Sequence, residues 1–134
     1  MSDPSTNADW QKWLKFSDED LRAADATLGE GVFSAACFHA QQAVEKAIKA
    51  ILLTKTGKVP KQHSILRLTE MSEDRELFEK HKENLEFLDK FYVPTRYPDA
   101  LPGSLPEGLP EREDAEKAVE SAKEVVESVK KILG

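Results

Sequence analysis

Apolar residues recur at helical spacing through most of the chain, and no segment shows the strict alternation of a half-buried strand. The clearest stretch is FSAACFHAQQAVEKAIKAILL, from Phe33 to Leu53. With Ala40 at zero and about 100° per residue, Phe33, Ala36, Cys37, Ala43, Val44, Ala47, Ile48 and Ile51 fall within roughly 80° of it, a core-facing stripe. His39, Gln42, Glu45, Lys46 and Lys49 fall on the other side, which predicts a solvent face.

The same pattern predicts the other elements. Asp9 can cap a helix running to Leu28, with Trp10, Trp13, Leu14, Leu21, Ala24 and Leu28 apolar. Ser17 with Asp20 offers an alternative start, so a kink near Phe16 is compatible with this stretch. Gly29 and Gly31 mark a turn before a second helix, Val32 to Lys55, which Gly57 and Pro60 end in the loop TGKVPKQH. Ser64 opens a short helix to Met71. Ser72 caps another, with Leu77, His81, Leu85, Leu88 and Phe91 at helical spacing. Pro94, Pro98, Pro102, Pro106 and Pro110 recur every fourth residue, which no α-helix tolerates. A last helix is predicted from Glu111 to Leu133, with Ala115, Ala118, Val119, Ala122, Val125, Val126 and Val129 inward. The expected fold is all-α, an up-and-down antiparallel bundle of four main helices plus a short extra one. Residues 1–8 are expected to form a disordered lead, and residues 9–134 one helical domain with a proline-rich connector at 92–111.

Charge changes this picture at one place. The 134 residues carry a formal −6, yet Lys46, Lys49, Lys55, Lys58, Lys61 and Arg67 fall in a stretch, Lys46 to Thr69, without Asp or Glu. The acidic balance argues against a general duplex-DNA binder, which needs a broad basic face. It leaves a nucleotide or a single-stranded RNA as the expected partner of the local basic run. No apolar run approaches the ~20 residues of a membrane span, and Met1 to Trp10 lacks the basic and apolar regions of a signal peptide. A cytoplasmic location is therefore expected. Cys37, the only cysteine, lies on the apolar stripe and is read as a small buried hydrophobe.

QQAVEKAIKAIL at 41–52, the loop GKVPKQHS leading into HSILRL, and FYVPTRYPD at 91–99 together resemble the HEPN domain, from about Trp10 to Leu133. The resemblance implies a four- or five-helix bundle, commonly a homodimer and often paired with a minimal nucleotidyltransferase, sometimes as a toxin–antitoxin module. Some members bind nucleotides. A large branch cleaves RNA without metal, using Arg followed after four to six residues by His. Here the chain from Arg96 reads RYPDALPGS, with no His in reach. Arg75 and His81 match the spacing by number alone: six steps along one helix set them about 120° and 9 Å apart, and His81 lies on an apolar stripe.

Two clusters are candidates for chemistry. Lys46, Lys49, Lys58, Lys61 and His63, helped by backbone amides at the Ser64 helix start, offer charge-assisted donors to phosphate. Arg96 can clamp phosphate and Tyr97 can stack on a base, stiffened by Pro94 and Pro98; alternatively Arg96 pairs with Glu45 or Asp99 in a packed connector. His39, Gln42 and Glu45 are expected to line an interface or groove. No metal-ligand spacing, dinucleotide fingerprint or complete catalytic set is present, so no metal, cofactor or catalytic residue is assigned. The Gly57-Lys58 pair lacks the upstream glycine of a phosphate loop, position 52 being Leu. The function expected is a non-catalytic, dimeric HEPN-like protein that binds a nucleotide or RNA phosphate and partners a minimal nucleotidyltransferase. The alternatives are a ribonuclease toxin using Arg96 with Tyr97 or His63, and a purely structural dimerisation module. The nucleotide-binding reading requires Lys46 and Arg96 to approach one another.

Overall fold

A computed structural model of the protein describes residues 4–92 and 108–134, with side chains from Asp9 onward in the first segment. Six helices occur among these residues: α1 (Pro4–Gly29), α2 (Phe33–Thr56), α3 (Ile65–Glu70), α4 (Arg75–Lys80), α5 (Lys82–Asp89) and α6 (Arg112–Leu133). The all-α bundle expected from the periodicity is what forms. Arg96, Tyr97 and Asp99, and most of the proline-rich connector, lie outside the described residues, as does the start of the lead.

α1 starts at Pro4 rather than Asp9; proline fits the first helical position because its missing N–H would find no intrahelical partner there. It runs without interruption past Phe16, so the kink is not realised. Ser17, considered a possible cap, is instead fully buried, and its hydroxyl donates to the Ala43 carbonyl of α2 at 2.6 Å. Leu14, Ser17, Leu21, Ala24 and Leu28 form the stripe that α1 lays on α2. Small residues facing it, Ala36, Ala40, Ala43 and Ala47, allow the two helices to approach closely.

α2 ends where the glycine signal says it should. Gly57 takes the left-handed conformation at φ 75°, and its N–H donates to the Leu53 carbonyl. Buried residues run almost all round the helix from Ala40 to Leu53, because α1, α6, α3 and α5 all pack against it. This overturns the expected solvent face: Glu45 and Lys49 are buried, as is Gln41. A single-helix wheel registers one apolar stripe and cannot show that a polar stripe is covered by a further element.

The helix predicted from Ser72 through Phe91 is divided. His81 leaves the helical region at φ −105° and ψ 16° and separates α4 from α5. Its ring lies against α6, with Nε2 2.8 Å from Ser128 Oγ, so His81 is a satisfied, buried histidine as its place on the stripe implied. Arg75 is exposed. α6 opens with Glu111 and Asp114 capping one another's backbone amides, and packs Val125, Val126 and Val129 into the core formed with Ile48, Ile51, Leu85 and Leu88. Full burial of each such side chain contributes roughly 1.5–3 kcal/mol before entropy is counted.

Candidate functional site

The buried carboxylate of Glu45 organises a polar cluster where α2, the loop before α3 and the end of α5 meet. Its Oε2 accepts from Lys49 Nζ at 2.8 Å and lies 3.2 Å from His63 Nδ1. Its Oε1 accepts from Gln42 Nε2 at 3.2 Å and, more weakly, from Gln41 Nε2 at 3.5 Å. Gln41 also donates to the His63 carbonyl at 3.1 Å, and Gln42 donates to Gln41 Oε1 at 2.8 Å. Every bond a carboxylate can usefully accept is thus made inside the fold. Lys49, besides pairing with Glu45, is 5.7 Å from the Trp13 ring centroid on α1.

His63 is the part of this cluster that faces solvent, with 56% of its side chain exposed. It is nevertheless held. Glu45 fixes one ring nitrogen, Gln41 fixes the backbone, and Tyr92 lies near-parallel to the ring at 19° with centroids 5.9 Å apart. A carboxylate only accepts, so Nδ1 carries the hydrogen and Nε2 lies on the opposite side of the ring. Among the described residues nothing hydrogen-bonds Nε2.

The loop itself is anchored from α5. Asp89 accepts from the Ile65 amide at 2.6 Å and from the Ser64 hydroxyl at 3.0 Å, and Ser64 in turn accepts from the Arg67 amide at 3.4 Å. Of the backbone amides at the start of α3, expected to help hold an anion, that of Ile65 is engaged by the Asp89 carboxylate and that of Arg67 by the Ser64 hydroxyl oxygen.

The candidate cations separate into two groups. Lys46 pairs with Asp20 on α1 at 2.5 Å and Lys49 with Glu45, so neither offers a spare charge. Their expected role as phosphate ligands did not include these internal pairings. The charge-run signal counted residues of one stretch, whereas their counter-ions come from another helix or from the next turn. Lys58 and Lys61 are exposed and make no ion pair among the described residues, so of the described candidates they and His63 are the ones that face outward. Arg96 and Tyr97 follow Tyr92 in the chain but lie outside the described residues, and with them the expected approach of Arg96 to Lys46.

The residues expected at an interface divide likewise. Glu45 is buried, and the half-buried Gln42 bonds to it. His39 Nδ1 is 2.9 Å from Asp20 Oδ1, so Asp20 bridges His39 and Lys46 across the α1–α2 contact. Tyr92, Gln41 and Asp89 were not singled out from the sequence. Tyr92 had one signal, its place in FYVPTRYPD beside Phe91, which is fully buried and so sets its neighbour at the edge of the core.

This all-helical chain belongs to the HEPN domain family, whose profile matches residues 10–132. It is 31% identical over 144 residues to the protein named "Putative toxin MJ1304" of Methanocaldococcus jannaschii, covering 99% of this chain and 94% of that one. Among solved structures, it is similar to TT1696 from Thermus thermophilus, with a TM-score of 0.74 and 38% identity over 91% of this chain and 96% of the other. It is also similar to ST0689, an archaeal HEPN homologue, with a TM-score of 0.69 and 28% identity over 93% and 98% of the two chains. Among the described residues no helix is long and apolar enough to cross a membrane.

Proposed function

We propose that this protein is the HEPN component of a toxin–antitoxin-like module, that it binds the phosphates of a nucleotide or single-stranded RNA without cleaving them, and that it works as a homodimer with a minimal nucleotidyltransferase. The observation that carries the binding step is the exposure of Lys58 and Lys61, which make no ion pair among the described residues, in the loop that leads to the His63 ring held between Glu45 and Tyr92. A group ordered in advance loses little entropy on binding, and two lysines that make no ion pair among the described residues supply charge-assisted donors. The name of the M. jannaschii relative supports the toxin-like setting, and the absence of His after Arg96 in RYPDALPGS supports a non-catalytic role.

Calorimetric titration of ATP, GTP and a short RNA tests binding. The expected result is saturable heat that falls at least tenfold in affinity in a Lys58→Ala/Lys61→Ala double variant; absence of heat at millimolar ligand removes the reading. Light scattering, and co-purification with a co-expressed nucleotidyltransferase, test the assembly. A second reading, RNA cleavage with His63 as base, is favoured by the Glu45–His63 contact, since a carboxylate on one ring nitrogen orients the other for proton transfer. It predicts that expression of the protein slows growth and that His63→Ala relieves the effect. Intact RNA and unaltered growth eliminate it.

A further inference from the structure

The orientation of His63 carries a consequence for ligand choice. Glu45 is saturated from within: Lys49 supplies its positive counter-charge, Gln41 and Gln42 occupy Oε1, and His63 Nδ1 completes Oε2. Glu45 takes the Nδ1 hydrogen, which fixes the Nδ1–H tautomer whenever the ring is neutral. In that tautomer the outward nitrogen, Nε2, is a lone-pair acceptor, the wrong partner for a phosphate oxygen and the right one for a hydroxyl or amino hydrogen. The phosphate donors are Lys58 and Lys61, and Lys61 is only two residues before His63, so their backbones lie within roughly 7 Å.

A ligand spanning that distance presents phosphate to the lysines and, one group along, the sugar to the imidazole. A base amine would depend on which base is bound, whereas a 2′-hydroxyl is present in every ribonucleotide and absent from every deoxyribonucleotide. We infer that His63 Nε2 accepts the hydrogen of a ribose 2′-hydroxyl and makes the site select ribonucleotides over their deoxy counterparts, with Glu45 as the positioning residue that sets the tautomer. This rests on the nucleotide- or RNA-binding reading above and names the substrate class within it. The shared chemistry is a ribose phosphate, supplied by a free nucleotide or by a strand of RNA.

The test measures affinities of the whole protein for ATP, dATP, and a twelve-nucleotide RNA and DNA of one sequence. The expected result is roughly three- to tenfold tighter binding of the ribo form in whichever pair binds, the range of one hydrogen bond at a partly exposed site. The nucleotide pair and the oligonucleotide pair distinguish the two sources. His63→Phe keeps a ring against Tyr92 but removes Nε2, and should bring the ratio of ribo to deoxy affinity down to about one. Glu45→Gln should narrow the same ratio, and because it alters the core, circular dichroism accompanies it. Equal ribo and deoxy affinity in the wild type overturns this inference while leaving phosphate binding intact. An equal loss of both ligands in His63→Phe also overturns it, by assigning the ring to phosphate. No binding of any of the four overturns both readings.

Discussion

Glu45 and Lys49, one turn apart on α2, form a 2.8 Å ion pair with side chains only 4% and 5% exposed. Surface pairs at this spacing contribute a few tenths of a kcal/mol, and desolvation makes a buried pair a different case. Its attraction is largely offset by the cost of removing both charges from water, but the loss of either partner leaves an uncompensated charge.

Lys49→Met should therefore destabilise the fold by about 3–5 kcal/mol, while Glu45→Gln/Lys49→Met should recover most of that loss. Urea denaturation of the single and double variants measures the difference. Equal destabilisation in both would show that packing around Lys49, and not its charge, matters.

Asp89 closes α3 from a distance of 24 residues, accepting from the Ile65 amide at 2.6 Å. Asp89→Ala is expected to cost about 0.5–2 kcal/mol, as removal of a helix cap does. Because the same contact anchors the loop that carries His63, it should also weaken nucleotide affinity, with Asp89→Asn intermediate in both. Thermal melts and calorimetry on the same samples compare the two losses.

His81 titrates below its ordinary value of 6.5 because burial disfavours the charged ring and Lys80 repels it, with Glu124 opposing more weakly. The unfolded chain then binds this proton at a higher pH than the folded one. The contribution of His81 is intact above pH 6.5 and is lost as pH falls through that value towards the lower folded one. His81→Gln, which can still bond Ser128, should flatten this part of the stability–pH curve. The difference between wild-type and variant midpoints, pH 5 to 8, is the measurement.

The Cys37 thiol is pushed up to about 12, first by burial and then by the Asp114 carboxylate. The reactive thiolate is accordingly scarce at neutral pH. A thiol reagent should label the native protein slowly, at a rate that follows unfolding, and should label it at once in denaturant. Rapid labelling of the native state would contradict the burial of Cys37.

The sequence by itself determined the helices and the side of each that enters the core. Seven residues of the α6 stripe and eight of the nine on α2, all except the half-buried Phe33, are buried as their spacing requires, because periodicity is a local property of the chain. Gly57 and Ser64 marked the end of α2 and the start of α3 for equally local reasons of backbone conformation and capping. Only the tertiary structure decided which charges are free. Lys46 and Lys49 carried the same signal in the sequence as Lys58 and Lys61, but the partners Asp20 and Glu45 are brought to them by helix packing. The tertiary structure also turned Glu45 from an expected surface group into the buried support of His63, and added Tyr92 from the far end of α5. A linear reading counts charges along the chain, whereas their availability depends on which carboxylates and rings the fold sets beside them.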